Sequence, residues 1–221
     1  MAQQQELPDL DRLPRAPRLA LAYAPAAIRD MIATVMLLDV QFDGFVRNAS
    51  EPVLAQMRLA WWRDRFAQDP SDWPKGNPLL SNFRDLGGHA GKLAHVVDGW
   101  ERLLSERPLG PEDLLAHAEG RAQGWAALAA HVGETAALPA VARAGKRWAL
   151  LDLAWSHAEA TERSMALKLA GSLAPTAALP RNLRALGVLD GLAQRALRND
   201  RPPLSRASDM TTALRIGLFG R

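Results

Sequence analysis

The stretch SEPVLAQMRLAWWRDRF, Ser50 to Phe66, predicts a helix around which the rest of the chain can be interpreted. Its start is typical of a helix N-terminus, because the Ser50 side chain can cap the first turn and Pro52 has no N–H to leave unpaired there. At about 100° per residue, the bulky apolar side chains fall into two stripes. One stripe contains Leu54, Met57 and Trp61, and the other contains Ala55, Leu59, Trp62 and Phe66.

Arg58 and Arg65 lie between these stripes, seven residues apart in a row that begins at Glu51. A row flanked by apolar stripes is expected to be shielded from water, and an unpaired guanidinium in such a place is very costly. We therefore predict that both arginines face carboxylate or phosphate groups. Gln56 and Arg63 are expected on the solvent side.

The preceding helix, predicted from Pro25 to Arg47, places two carboxylates on its broad apolar face. Asp39 and Asp43 are four residues apart, so they point the same way from adjacent turns. They repel each other unless a cation or a metal ion lies between them. Arg58 or Arg65 could supply the cation and Mg²⁺ could be the metal, and the residues alone favour an ion-pair network. The residues expected on the opposite, wet face are Asp30, Thr34 and Gln41.

Length and composition indicate one domain that can bury a substantial core, with 221 residues and 48% hydrophobic content. Residues 1–17 are polar and proline-rich and are expected to form a flexible arm, and residues 18–221 a helical domain. The chain has no cysteine, which excludes disulfides and thiolate metal sites. No signal-peptide pattern and no long apolar run is present, so we expect a soluble, cytoplasmic protein.

The charge distribution argues against nucleic-acid binding. The formal net charge is only +3, and the 23 arginines are scattered among acidic residues instead of forming a basic stripe. Arginine does suit bidentate recognition of carboxylate or phosphate groups.

The rest of the chain also has helical periodicity, without sustained alternation or clustered β-branched residues. We therefore predict an all-α fold of about eight helices around one core. A loop at Asp69–Pro78 is expected to fold Trp73 back onto the core. Further helices are predicted at Arg18–Ala24, Pro78–Leu86, His89–Leu104, Pro111–Val132, Pro139–Trp155 with a continuation to Ala170, Pro180–Arg198 and Ser205–Leu218.

Common catalytic motifs are missing. The chain has no GxSxG, P-loop, GxGxxG or HExxH sequence, and its five histidines lack the spacing of a metal site. His117 and His157 lie near carboxylates in sequence, which is compatible with acid–base chemistry but is more typical of helix-surface pairing.

Several stretches resemble the squalene/phytoene synthase family. SEPVLAQMRLAWWRDRF is similar to the family's apolar-Arg-Leu-x-Trp-Trp-Arg-Asp run, and its Ser-Glu-Pro start resembles the bacterial branch similar to the mitochondrial complex I assembly factor of that family. The stretches HAEGRAQGWAALA (117–129) and LPRNLRALGVLDGLAQRALR (179–198) and the ending LRIGLFGR also resemble family helices. The resemblance implies a single-domain helical bundle of the isoprenoid synthase type.

Family enzymes join two prenyl diphosphates head to head in an all-α cavity, where two Asp-rich motifs hold Mg²⁺. The resemblance implies that Asp39 and Asp43, which have the DxxxD spacing of the first motif, would bind Mg²⁺. By the same resemblance, Arg58 and Arg65 would hold the diphosphate. Trp61 and Trp62 would line the cavity, and together with Trp125, Trp148 and Trp155 they are bulky enough to fill it.

The second Asp-rich motif departs from the family. Where a second DxxxD is expected, this chain has Asp152 alone, followed four residues later by Ser156, and His117 stands where the family usually has tyrosine. One carboxylate cluster cannot provide the symmetric arrangement that ionises and couples two diphosphates. We therefore predict a synthase-like protein that has lost the coupling chemistry and binds a prenyl diphosphate or acts in assembly with a protein partner.

Two alternatives remain open from the sequence. The first is an active Mg²⁺-dependent prenyltransferase that uses Asp39, Asp43, Arg58 and Arg65. The second is peripheral membrane contact through the C-terminal helix, which carries basic and apolar residues together. These are Arg206, Arg215 and Arg221 with Leu214, Ile216, Leu218 and Phe219.

Overall fold

The fold is all-α. A computed structural model describes residues 9–49 and 51–220, and this part of the chain contains helices and no strand. The all-α prediction is therefore confirmed, while Ser50, the predicted cap, lies outside the described residues. The α-helices are α1 (Arg15–Leu21), α2 (Arg29–Arg47), α3 (Pro52–Phe66), α4 (Pro78–Phe83), α5 (Leu93–Glu101), α6 (Pro111–His131), α7 (Leu138–Ser156), α8 (Ala160–Ser172), α9 (Arg184–Asn199) and α10 (Ala207–Phe219).

Helix α6 is the centre of the bundle and packs most extensively on α5 and α7. Small residues on α6 permit close approach on both sides. A Cβ atom on Gly120 would lie 2.4 Å from the His95 carbonyl oxygen and 2.6 Å from the Gly99 Cα atom of α5. On the other side, a Cβ atom on Gly145 of α7 would lie 2.9 Å from the Ala122 Cβ atom. The α5–α6–α7 layer is therefore in close contact on both flanks of α6.

The predicted continuation of α7 to Ala170 is wrong, because the helix ends at Ser156. The N–H groups of His157 and Ala158 both donate to the Leu153 carbonyl. A new helix, α8, then begins behind Glu159, whose backbone N–H donates to the Glu162 carboxylate at 3.1 Å. This arrangement is a capping box with glutamate at both positions, and it starts a helix instead of continuing one.

Helix α3 buries only one of its two predicted apolar stripes. Its inward stripe packs on α5 and α2, whereas the outward side chains of Leu54, Met57 and Trp61 are 41%, 66% and 40% exposed. The expectation that both stripes are buried is wrong because no described element covers the outer side of α3.

Thr34 of α2 was expected on a solvent-exposed face, but its side chain is fully buried. Its hydroxyl donates to the Asp30 carbonyl and accepts from the Asn82 side chain.

The N-terminal segment joins the fold earlier than expected. Helix α1 begins at Arg15 instead of Arg18, and Leu13, within the predicted arm, is buried. Residues 9–17 therefore belong to the packed fold, and residues 1–8 lie outside the described part. Trp73 is buried as predicted, and its indole N–H donates to the Arg65 carbonyl at 2.6 Å.

The C-terminal helices are held to the bundle by a buried ion pair. Arg147 of α7 contacts Asp190 of α9, and both side chains are at most 5% exposed. Helix α10 then packs along α9. In the described residues, no helix is both long enough and apolar enough to cross a membrane.

Candidate functional site in the central cavity

A cavity of about 340 Å³ opens between α2, α6 and α7, and the N-terminal segment and α9 also contribute to its wall. Three carboxylates line it: Asp39, Asp43 and Asp152. The tryptophans therefore do not fill this space, and three of them form part of its wall. The wall also contains cationic, aromatic and aliphatic side chains, namely Arg12, Arg47, Arg121, Trp100, Trp125, Trp148 and Leu189.

Arg121 of α6 lies between two of the three carboxylates. Its Nη2 atom is 3.0 Å from the Asp39 carboxylate of α2, and its Nη1 atom is 2.9 Å from the Asp152 carboxylate of α7. The guanidinium carbon also lies 5.2 Å from the ring centroid of Trp100. With its side chain only 6% exposed, Arg121 is a nearly buried cation that links three helices.

Asp39 is held by two donors. Besides Arg121, the Trp100 indole N–H donates to its other carboxylate oxygen at 2.9 Å. Burial raises the pKa of Asp39, and the attraction of Arg121 opposes this shift. Burial also disfavours the charged form of Arg121, but the charges of Asp39 and Asp152 outweigh burial and raise its pKa. Arg121 therefore stays charged.

Asp43, one turn further along α2, has two other partners. The Arg47 Nε atom lies 3.0 Å from its carboxylate, and the His157 ring contacts the same group. Burial opposes ionisation of Asp43, but the hydrogen bonds from His157 and Arg47 lower its pKa. His157 comes from the turn between α7 and α8, so the end of α7 at Ser156 places this imidazole beside Asp43.

His117 lies near this network without lining the cavity. Its ring is fully buried, its Nδ1 atom is 3.0 Å from the Gly99 carbonyl oxygen, and it packs edge-on against Trp100. Its Nε2 atom has no hydrogen-bond partner among the described residues. Burial lowers the pKa of His117 well below its usual value, so the ring is neutral.

Arg58 and Arg65 are not the cations beside Asp39 and Asp43. Arg58 is exposed, lies 5.7 Å from the ring centroid of Phe45 and lines a separate groove of about 380 Å³ between α3 and α2, the outer groove. The guanidinium of Arg65 lies 5.6 Å from the Trp61 ring centroid. The predicted contact between these arginines and the carboxylates is therefore not formed. Their role as diphosphate ligands stays a prediction.

Trp61 and Trp62 also belong to the outer groove and are not among the residues that line the central cavity. Trp62 is buried in an aromatic cluster with Phe42 and Phe66, and Trp61 packs edge-on against it. The tryptophans at the cavity are Trp100, Trp125 and Trp148.

Sequence reasoning missed Arg121 and Trp100 as site residues. Both lie on amphipathic helices, and nothing in the local sequence distinguishes a single arginine or tryptophan there as a site residue. One signal was available, because Arg121 lies in HAEGRAQGW between small residues that predict a buried helix face. A charge on such a face requires a buried acceptor.

The carboxylates, as arranged, do not fit the Mg²⁺ that the family resemblance implies. Mg²⁺ requires oxygen ligands in a nearly octahedral shell, and in proteins one or two of these ligands are carboxylates with free lone pairs. Both oxygens of Asp39 already accept hydrogen bonds, and Asp43 is paired with Arg47 and His157. Within residues 9–49 and 51–220, no three acidic or imidazole side chains converge in a group that could hold a metal ion.

Comparison with known proteins places the chain in a family. A family model described as squalene/phytoene synthase matches residues 15–164, which is more than half of the 221 residues. No curated protein and no solved structure matches the chain. The matched region runs from α1 into α8 and includes Asp39, Asp43, Arg121 and Asp152. The helical architecture is that of the isoprenoid synthases, and the chain belongs to the squalene/phytoene synthase family.

Proposed function

We propose that this protein is a non-catalytic member of its family, which binds a prenyl-type ligand in the central cavity without coupling two prenyl diphosphates. One observation carries the proposal: the cavity carboxylates are already engaged by side chains of the protein itself. Asp39 and Asp152 share Arg121, and Asp43 pairs with Arg47 and His157. Head-to-head coupling would need two carboxylate clusters free to hold metal-bound diphosphates.

The position of Ser156 also supports loss of the chemistry. This residue occupies the place of the second carboxylate in the family's second motif. Its hydroxyl donates to the Asp152 backbone carbonyl at 2.5 Å, which is an ordinary hydrogen bond within a helix. Asp152 therefore has no acidic neighbour one turn along α7.

The cavity wall suits an amphiphilic ligand. Trp125, Trp148 and Leu189 provide apolar surface, while Arg12 and Arg47 are exposed cations at its edge. An apolar chain could pack against the rings while an anionic end meets an arginine, because guanidinium groups bind phosphate without a metal.

Release of inorganic diphosphate tests the proposal directly. The purified protein is incubated with farnesyl or geranylgeranyl diphosphate, in Mg²⁺ and in EDTA, beside an Asp39→Asn/Asp43→Asn variant. We expect no release above the variant in either condition. Mg²⁺-dependent release that the variant lacks would overturn the proposal and establish the alternative, an active prenyltransferase.

Ligand binding is measured separately by tryptophan fluorescence in EDTA, since three tryptophans line the cavity. We expect farnesyl diphosphate to change the emission in a saturable way. A Trp148→Phe variant should lose part of the signal, whereas Trp61→Phe, which alters only the outer groove, should keep it. No saturable change with the wild-type protein would contradict a binding role for the cavity.

A second proposed role is peripheral membrane contact through α10, which is supported by its exposed apolar face. Met210, Leu214 and Leu218 are four residues apart and 50%, 51% and 60% exposed, and Phe219 is 70% exposed. Ile216, predicted to belong to this face, is half-buried beside Gly191 of α9 instead. Exposed basic residues accompany the face at Arg206 and Arg215, as membrane-surface helices require. The third predicted basic residue, Arg221, lies outside the described residues.

Co-sedimentation with vesicles tests this role. We expect binding to vesicles that contain anionic lipid and weaker binding to neutral ones. Binding should be lost in a Leu214→Glu/Leu218→Glu variant and kept in a Met57→Glu variant, which changes an even more exposed apolar residue on α3. Equal sedimentation of all three proteins would contradict the role.

A further inference from the structure

In the part of the chain that the structure describes, Arg121 is the only side chain that forms ion pairs with two of the three cavity carboxylates. Each carboxylate receives its own guanidinium nitrogen, so neither must be released for the other to be held. The two partners lie on different helices, Asp39 on α2 and Asp152 on α7. The positive charge of Arg121 thus lies between an acidic group of α2 and an acidic group of α7.

We infer that Arg121 is a built-in counter-cation that closes this cavity to divalent metal ions, and that its removal would create a metal site between Asp39 and Asp152. The inference deepens the proposed function, because it supplies the physical reason why the cavity would bind a ligand without ionising it. It concerns cation binding alone, so it can fail while the proposed lack of catalysis stands.

The position of Arg121 is fixed by the packing of its helix. Gly120, the preceding residue, touches the backbone of α5, and Ala122, the following residue, touches Gly145 of α7. Helix α6 therefore cannot rotate or shift without a clash on one side. The guanidinium carbon also lies 5.2 Å from the ring centroid of Trp100, whose indole N–H donates to Asp39. A metal ion would have to displace a cation that is held by two carboxylates and lies beside an aromatic ring.

The balance of charge in the cavity changes when Arg121 is replaced by an uncharged residue. In the native protein, one guanidinium offsets part of the charge of two carboxylates. Arg121→Met keeps most of the side-chain volume but leaves Asp39 and Asp152 without their cation. Two neighbouring carboxylates in a partly buried site either take up a proton or bind a cation. The two carboxylates can then bind Mg²⁺ or Mn²⁺, which prefer oxygen ligands.

The experiment is a titration with Mn²⁺, followed by electron paramagnetic resonance, together with thermal unfolding in Mg²⁺. For the wild-type protein we expect no saturable Mn²⁺ binding and no shift of the unfolding temperature beyond that in matched ionic strength. For Arg121→Met we expect one bound Mn²⁺ per chain, with a Kd of about 1 mM or tighter, the weak end for carboxylate sites. Adding Asp39→Asn and Asp152→Asn to this variant should abolish the binding.

A matched control is Arg63→Met on α3. Arg63 also pairs with two carboxylates, Asp98 and Glu101, but its side chain is 35% exposed, whereas that of Arg121 is 6% exposed. We expect this variant to gain no saturable Mn²⁺ site, because water already solvates the freed charges. The comparison separates a created site from a general effect of removing an arginine.

Two results would overturn the inference. One is saturable Mn²⁺ binding by the wild-type protein that Asp39→Asn removes, a measurement that does not depend on whether any Arg121 variant folds. The other is a folded Arg121→Met or Arg121→Gln protein that binds no more Mn²⁺ than Arg63→Met. Wild-type protein that binds Mn²⁺ but releases no diphosphate would refute this inference and leave the proposed function intact.

Discussion

His117 is a fully buried imidazole whose only hydrogen bond with the described residues joins its Nδ1 atom to the Gly99 carbonyl. Because a carbonyl oxygen can only accept, Nδ1 carries the single ring proton and donates it to this hydrogen bond. The ring in this form is neutral. Protonation would place a cation near Arg121, with an Nε2–H that has no acceptor among the described residues. Burial, supported by the charge of Arg121, is therefore the reason why the pKa is lowered.

This lowered pKa predicts a loss of stability in mild acid. The unfolded chain takes up the proton near pH 6.5 and the folded protein only at lower pH, so acid favours unfolding. Below the unfolded value, His117 should remove about 1 kcal/mol of unfolding free energy per pH unit until its folded pKa is reached. Urea unfolding at pH 7.5, 6.5 and 5.5 measures this loss in the wild type and in His117→Gln.

His95→Gln on α5 is the matched control. It makes the same substitution at a histidine whose side chain is 65% exposed. We expect the His117→Gln protein to lose less stability than the wild type between pH 6.5 and 5.5, and His95→Gln to follow the wild type. Parallel curves for all three proteins would show that His117 does not remain neutral when buried.

Sequence reasoning at this scale found the carboxylates but not their partners. The four-residue spacing of Asp39 and Asp43 predicted two acids in one direction from α2, and both line the cavity. Helical periodicity contains no information about which distant residue faces a given side chain. Arg121 is 82 positions from Asp39 and His157 is 114 positions from Asp43, so only the tertiary fold reveals these contacts.

At the scale of the helices, the α5–α6 contact depends on Gly99 and Gly120. Each glycine lies where a side chain would meet backbone atoms of the other helix, at 2.9 Å or less. Backbone atoms cannot rotate away as the end of a flexible side chain can. The contact also sets the direction of Arg121, which follows Gly120 on α6, so helix packing and the charge network are coupled.

Gly120→Ala should therefore destabilise the fold, although alanine is the better helix former. We expect a loss of about 1–3 kcal/mol in unfolding free energy, as is typical of overpacked interiors. Gly171→Ala on α8 is the control, because a Cβ atom there would have no neighbour within 4 Å. This variant should be as stable as the wild type or slightly more so. Equal stability of the two variants in urea would mean that α5 and α6 can separate without cost.

The helices themselves could be predicted well, but their surroundings could not. Proline at the starts of α3, α4 and α6 and the spacing of apolar residues gave correct helices. The two stripes of α3 were also correct as a pattern. Periodicity cannot show that a neighbour is present, so the exposure of Met57 and Trp61 was not predictable. The break before α8 was missed because the sequence Glu-x-x-Glu is also common inside helices, so it does not by itself indicate a capping box.

At the scale of the whole molecule, Arg147 joins the part that matches the family to the helices beyond it. The match ends at residue 164, within α8, and α9 and α10 follow. Arg147 contacts Asp190 of α9 and donates to the carbonyls of Leu173 and Ala174 at 3.1 Å and 2.6 Å. One buried guanidinium therefore fixes both the segment after α8 and the position of α9.

Removing this cation should lower the free energy of unfolding substantially. Arg147→Met leaves Asp190 buried without its cation, and breaking a buried pair costs about 3–5 kcal/mol. The double variant Arg147→Met/Asp190→Leu should recover part of this loss, because no buried charge remains. Lys146→Met, one residue away, breaks a pair with the 60% exposed Glu119 and should cost at most about 1 kcal/mol. Urea unfolding compares the three variants, and similar losses for Lys146→Met and Arg147→Met would show that α9 is held by apolar packing alone.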